Sequence, residues 1–70
     1  MKKENIEKAL SEVVKLTTIE NEIFTGYLVP AQYFKRKYTI LPLDDYNSTY
    51  TFPASFIKSI QYLRNGVTLI

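Results

Sequence analysis

The residues best suited to chemistry in this chain stand together in one short run of cations and aromatic rings, Tyr33-Phe34-Lys35-Arg36-Lys37-Tyr38. Three adjacent cations can neutralise phosphate groups, and neighbouring aromatic side chains can stack on unpaired bases. We interpret the run as a binding site for RNA or single-stranded DNA, and we assign Lys58 to the same site; Arg64 extends it if it shares the same face. The alternative is that a basic loop keeps a small protein soluble while the three rings enter the core.

The charge of the chain bears on this interpretation through its distribution rather than through its net value of +2. Residues 31–64 carry five Lys or Arg against two Asp, a balance of 5 − 2 = +3. Residues 1–22 carry four Lys against five Glu, a balance of 4 − 5 = −1. The positive charge is therefore concentrated in the second half, where three of the cations are contiguous.

Residue types that catalysis requires are largely missing. The 70 residues include no Cys and no His, which excludes disulfides, thiolate metal sites and the usual acid–base group at neutral pH. Glu20 and Glu22 flank a turn, and Asp44 and Asp45 open a loop, but no further ligand completes either pair for a hard cation. The serines have no histidine or lysine relay. The sequence therefore predicts no enzyme, no catalytic residue, no metal, no cofactor and no small-molecule substrate.

The six tyrosines form the second group of candidate binding residues. A core of this size cannot hold all six, so some must be exposed, and exposed Tyr is favoured at protein interfaces because its rigid ring loses little entropy there. Together with apolar residues near the N-terminus they predict a protein interface made of Ile6, Leu10, Tyr46, Tyr50 and Tyr62. The alternative function is therefore a protein-interaction module, such as a small bacterial or phage-encoded adaptor or inhibitor that docks on a larger host complex.

An amphipathic helix is predicted at the start of the chain. Apolar residues recur with helical period at Ile6, Ala9, Leu10, Val13 and Val14. Acidic residues near its start suit the helix dipole. We place this helix at residues 3–12 and expect its apolar face to cap one end of a barrel or to meet another chain.

From residue 13 onwards the pattern changes to that of short strands. Alternating β-branched residues predict a strand over residues 13–18, and a turn at Glu20-Asn21-Glu22 follows. Further strands are predicted over residues 23–31, 38–43, 49–52 and 56–63, with a short sixth strand over residues 67–70. A one-turn break at Pro53-Ala54-Ser55 precedes the fifth strand. Gly26 in the second strand indicates a bend or bulge that lets a short sheet curl.

These elements make one domain of 70 residues that is mainly β. We expect a small barrel of five or six strands over residues 13–70, preceded by the helix, because closing a short sheet removes its vulnerable edges.

The order of elements resembles that of the Sm-like family, which includes the bacterial RNA chaperone Hfq. The family's first motif has an aliphatic residue, a turn glycine, an aromatic or aliphatic residue, a second glycine and a leucine, and the matching positions here are Leu16, Asn21, Phe24, Gly26 and Leu28. The segment from Phe52 to Ile57 looks like the short helical turn before the last strand of Src-homology-3 domains. The end of the chain also resembles the closing strands of the YolD-like and Rof-like bacterial proteins.

This resemblance implies a small Sm-like or Src-homology-3-like barrel and, through strand-edge pairing, a homo-oligomer. The family's uridine pocket is not carried over, because Gln32 stands near the position of its aspartate and Lys58-Ser59 replaces its arginine–glycine pair. The groove for proline-rich peptides lacks its Trp here. The resemblance therefore concerns the fold, and a function must be argued from the site.

A cytoplasmic location without membrane contact is expected. The N-terminal segment has two lysines but no uninterrupted apolar run after them, and no stretch approaches the roughly 20 apolar residues of a membrane span.

Overall fold

One short helix and a single six-stranded antiparallel sheet make up the part of the chain that the structure, a computed structural model, describes: residues 1–45 and 47–70. Strands follow the helix in the predicted order, and a mainly β fold is confirmed. A single 3₁₀ turn before β5 confirms the predicted break in the chain. The elements are α1 (Lys3–Lys8), β1 (Val13–Thr18), β2 (Ile23–Pro30), β3 (Lys37–Pro42), β4 (Tyr50–Pro53), the 3₁₀ turn (Ala54–Phe56), β5 (Ile57–Tyr62) and β6 (Thr68–Leu69).

The strands are arranged in the order β4-β3-β2-β1-β5-β6, and every neighbouring pair is antiparallel. The sheet is open, since β4 and β6 form its two edges within the described residues. Each edge strand is short, which limits the row of unpaired backbone groups that it presents.

The helix is shorter than predicted and ends at Lys8 rather than at residue 12. Ser11 adopts a left-handed backbone conformation with φ of 67°, which a helix cannot continue through. Its backbone N–H donates to Leu28 O at 2.8 Å, and Leu28 N–H donates to Glu12 O at 3.0 Å. Because the Ser11 N–H and the Glu12 carbonyl pair with Leu28 of β2, these backbone groups are not available for helical hydrogen bonds.

The core lies between α1 and the inward-facing residues of the sheet. Alternation in β1 buries Val14, Leu16 and Thr18 and leaves the residues between them half-buried, as expected for a strand with one covered face. The Thr18 hydroxyl is satisfied because Glu22 N–H donates to it at 3.2 Å. The apolar core consists of Ile6, Ala9, Val14, Leu16, Leu28, Tyr38, Ile40, Ile57, Ile60 and Tyr62.

The sheet is strongly curled. The Phe24 ring on β2 lies 4.6 Å from the Tyr50 ring and 5.2 Å from the Phe52 ring on β4, measured between centroids. Since β3 separates β2 from β4 and neighbouring strands lie about 4.8 Å apart, a flat sheet would not bring these rings together.

Gly26 permits the close approach of β2 and β3 within this curl. It pairs with Pro42, and a Cβ added to it would lie only 2.2 Å from Leu41 O. The register with β1 runs through Gly26 without a shift, and the pairing with β3 begins at the Gly26–Pro42 pair, so no bulge is present at Gly26 in either ladder. The register shift lies instead between Thr17 and Thr18, where β1 meets β5.

Within residues 1–45 and 47–70, no helix has the length and apolar character needed to cross a bilayer.

Candidate nucleic-acid interface

The predicted site is built on the connection between β2 and β3, residues 31–37, which we call the basic loop. Ala31 N–H donates to Lys37 O at 3.1 Å, and Lys37 N–H donates to Phe34 O at 3.4 Å. Arg36 takes a left-handed conformation with φ of 66°, which closes the loop tightly. The backbone of the loop is held by its own hydrogen bonds, and every side chain from Gln32 to Lys37 is exposed.

Two of the three predicted stacking rings are on the surface. Tyr33 is 81% exposed and Phe34 is 56% exposed, so the alternative in which these rings enter the core is wrong for both. Tyr38 lines the cationic cleft but is only 4% exposed, so the expectation that its ring is free to stack on a base is wrong. It lies on the same inward face of β3 as Ile40. Burial and, secondarily, the Glu7 carboxylate raise the pKa of the Tyr38 phenol above its ordinary value.

A cation–π contact joins charge and ring at the surface of the loop. Lys37 Nζ lies 4.8 Å from the centroid of the Phe34 ring. Contacts of this kind stabilise by about 0.5–1 kcal/mol when exposed. The contact places a positive charge directly beside an exposed aromatic ring.

Two clefts use the basic loop as a shared wall. The first, which we call the cationic cleft, has a volume of about 470 Å³ and lies between the loop and the α1 region. The second, which we call the neutral cleft, has a volume of about 310 Å³ and lies along β2, β3 and the start of β4. Tyr33 and Phe34 line both clefts.

The cationic cleft carries a strong excess of positive charge. Its lining includes Lys35, Arg36 and Lys37 from the loop and Lys3 from α1, against the single carboxylate of Glu7, so the balance is 4 − 1 = +3. Lys3 Nζ lies 3.7 Å from a Glu7 carboxylate oxygen, and both side chains are exposed. Among the described residues, the three loop cations take part in no salt bridge. Their charge is therefore available to an anionic ligand.

Lys58 does not belong to this site. It lines neither cleft, and its Nζ donates to Asn21 Oδ1 at 2.9 Å. The pairing of β5 with β1 places Lys58 beside the turn between β1 and β2. Arg64 is engaged elsewhere as well, since Nη2 lies 3.1 Å from Glu12 Oε2. The prediction that these cations extend the basic run is therefore wrong.

The predicted protein interface is only partly on the surface. Ile6 is fully buried and Tyr62 is 8% exposed, with the Tyr62 hydroxyl donating to Lys8 O at 3.1 Å. Assignment of these two residues to an interface is wrong because both are part of the core. Leu10 is half-buried and lines the cationic cleft, and Tyr50 is 40% exposed. The fifth predicted residue, Tyr46, lies outside the described residues.

Sequence reasoning missed two contributions to the site. Lys3 reaches the cationic cleft from the N-terminal helix, and no local signal in the sequence connects it with a loop some thirty residues later. Thr39 and Thr51 line the neutral cleft, and they are direct partners across β3 and β4. Threonines at outward positions of two strands could have indicated a polar surface, but only the strand register shows that the two residues are neighbours.

Comparison of the chain with protein-family models, with curated proteins and with solved structures finds no match. The function must therefore be argued from the chemistry of the site. The site offers cations that can neutralise an anion beside exposed rings that can stack on flat groups.

Proposed function

We propose that this protein is a non-enzymatic binding module that holds a single-stranded segment of RNA or DNA on its basic loop. The observation that carries the proposal is the exposure of Tyr33 and Phe34, at 81% and 56%, directly beside three cations that no described carboxylate pairs. Burial of a large apolar ring stabilises a protein by roughly 1.5–3 kcal/mol. A 70-residue chain that leaves two rings in water therefore forgoes stability that it could use.

A single strand suits this arrangement better than a duplex. Stacking on a protein ring requires a base whose face is open, and bases in a duplex are already stacked. Each base stacked on Tyr33 or Phe34 contributes about 1–3 kcal/mol to binding. The loop cations then neutralise the neighbouring phosphates in the cationic cleft.

The finer fold assignment belongs to the same proposal: a small barrel of Sm-like or Src-homology-3-like type. The order β4-β3-β2-β1-β5 and the 3₁₀ turn that joins β4 to β5 support it. The Phe52 ring stacks on the Phe56 ring at 5.6 Å across that turn, which fixes the turn between β4 and β5. The proposal also includes a homo-oligomer formed through the edge strands β4 and β6, because both strands present unpaired backbone groups.

Salt dependence tests the nucleic-acid proposal directly. Three phosphates neutralised on a single strand give a slope of about −2 for log K against log salt, so a fourfold rise in salt weakens binding about 16-fold. The measurement is a fluorescence-anisotropy titration of a labelled single-stranded oligonucleotide at several salt concentrations. A duplex of the same length serves as a competitor and should compete poorly.

Two matched triple variants separate the loop from bulk charge. In the first, Lys35, Arg36 and Lys37 are changed to Ala; in the second, Lys8, Lys15 and Lys58, which line neither cleft, are changed to Ala. Both changes take the net charge from +2 to 2 − 3 = −1. We expect the first variant to lose binding and the second to keep most of it. Equal losses in both, or no salt-sensitive binding by the unmodified protein, would sink the proposal.

A protein-interaction role is the second candidate, and one surface favours it. Ile23, Leu43 and Tyr50 are 55%, 52% and 40% exposed and line a cleft of about 420 Å³ with Asp44 and Asp45. Apolar side chains beside two carboxylates suit a partner segment that carries Lys or Arg among apolar residues. A stoichiometric protein partner that stays bound at high salt and is lost with Leu43→Asp would favour this role over nucleic-acid binding.

A further inference from the structure

The neutral cleft differs in chemistry from the cationic cleft although the two share a wall. None of its described lining residues is charged. Its lining combines the apolar side chains of Val29 and Leu41 with polar groups, which are the Gln32 amide and threonine hydroxyls, chiefly those of Thr39 and Thr51. At about 310 Å³ it lies at the lower end of the range of ligand pockets, roughly 300–1,000 Å³, which suits one flat ring system rather than a large ligand.

The threonine pair gives the cleft a defined hydrogen-bonding capacity. Thr39 Oγ1 and Thr51 Oγ1 lie 2.9 Å apart and share one hydrogen bond, in which either can be the donor. One hydroxyl hydrogen is used within the pair, so the other remains to donate outward, and both oxygens keep lone pairs that can accept. The Gln32 amide adds both a donor group and an acceptor. Donors and acceptors that lie beside apolar side chains and the Tyr33 and Phe34 rings match the edge and face of a nucleobase.

We propose that the neutral cleft is a nucleobase pocket that reads one base of the bound single strand. The inference rests on the proposed function and deepens it. In protein–nucleic acid interfaces, phosphate contacts position the ligand and base-edge contacts specify it. Here the cations line only the cationic cleft and the threonines line only the neutral cleft, while Gln32 lies on the wall that the two clefts share. A strand that lies with its phosphates in the cationic cleft can place one base across the wall.

Removal of the two hydroxyls tests this assignment. The double change of Thr39 and Thr51 to Val keeps the β-branched shape and removes both partners of the hydrogen bond together, so no unsatisfied group is left. The control is the double change of Thr17 and Thr25 to Val, which removes two hydroxyls from positions that line neither cleft. Affinity is measured for the four single-stranded RNA homopolymers of equal length, and for an abasic strand of the same length.

The proposal predicts that the unmodified protein and the control prefer at least one homopolymer about tenfold over the weakest. The Thr39/Thr51 variant should lose this preference and keep the salt slope of about −2. The variant without the loop cations should instead weaken binding to all four sequences alike.

The outcomes distinguish failure of this inference from failure of the proposed function. Salt-sensitive binding with equal affinity for all four homopolymers, or a preference that survives in the Thr39/Thr51 variant, overturns the nucleobase pocket and leaves the basic loop intact as a phosphate site. No binding of any strand by the unmodified protein overturns both.

Discussion

Replacement of Gly26 by Ala is the sharpest test of what holds the sheet in its curled form. A methyl carbon at this position would lie 2.2 Å from Leu41 O, 2.7 Å from Leu41 C and 2.9 Å from Pro42 Cα. Ordinary van der Waals contact begins at 3.4 Å, so β2 and β3 would have to separate by 3.4 − 2.2 = 1.2 Å. All three atoms belong to the backbone, and no side chain can rotate to relieve the overlap.

The size of the effect follows from this displacement. Overpacking in a folded interior destabilises by about 1–3 kcal/mol, and each ladder hydrogen bond that is stretched forfeits about 1 kcal/mol. We therefore expect Gly26→Ala to lower the free energy of unfolding by about 3 kcal/mol. A chain of this length has a total stability of roughly 4–10 kcal/mol, so the loss is a large fraction of it.

Urea unfolding followed by circular dichroism measures this loss. With an m-value of about 1 kcal/mol/M, the midpoint should fall by about 3 M. Gly66→Ala is the matched control, because Gly66 has a left-handed φ of 73° but its added Cβ would meet nothing closer than Gln61 Nε2 at 4.0 Å. The control should lose only about 1 kcal/mol, from backbone strain. A Gly26→Ala variant that is as stable as the Gly66→Ala variant would refute the role given to the close approach.

Three further changes test other parts of the account. Arg36→Gly should leave the free energy of unfolding unchanged or raise it by up to about 1 kcal/mol in urea unfolding, since Gly accepts the φ of 66° without strain. The same change should reduce the magnitude of the salt slope of binding by about 0.7, because one fewer phosphate on the single strand is neutralised. Tyr38 has a folded-state pKa above its ordinary value of 10.0 because of burial and the Glu7 carboxylate. Its contribution to stability is present below pH 10 and is lost as pH rises through the folded pKa. The free energy of unfolding, measured at increasing alkaline pH, should therefore fall more steeply for the unmodified protein than for Tyr38→Phe. Ile60→Ala should destabilise by about 2–5 kcal/mol in urea unfolding because Ile60 is fully buried, whereas Ile70→Ala, at a position 83% exposed, should change stability by less than about 0.5 kcal/mol.

Local patterns in the sequence were sufficient for most of the strands. Val14, Leu16 and Thr18 alternate with half-buried residues, which is the period of two expected for a strand. This pattern needs only one covered face and no knowledge of which strands are neighbours. The basic loop was also visible locally, because three adjacent cations cannot all be buried. Its exposure in the structure agrees with that reasoning.

Long-range pairing determined the features that local patterns did not reveal. The helix stops early because the backbone groups of Ser11 and Glu12 pair with Leu28. No local sequence pattern near the helix predicts this contact. Lys58 lies beside Asn21 because β5 pairs with β1. The run of cations before Tyr38 favours a surface position for it, whereas its alternation with Ile40 along β3 indicates the inward position that it takes.

The site itself combines both kinds of information. Tyr33, Phe34 and the three cations could be named from the sequence, since they are contiguous. The two clefts could not, because they are formed when the loop meets Lys3 of α1 on one side and Thr51 of β4 on the other.

A titration of the uniformly ¹⁵N-labelled protein with a short single-stranded RNA, followed by two-dimensional NMR, tests the central claim most directly. The account predicts that the backbone amide signals of residues 31–39 and of Thr51 shift together as RNA is added, and that those of Leu43, Asp44 and Asp45 do not. Raising the salt concentration should reverse the shifts. Absence of any shift at low salt, or shifts centred on residues 43–45, would contradict the account.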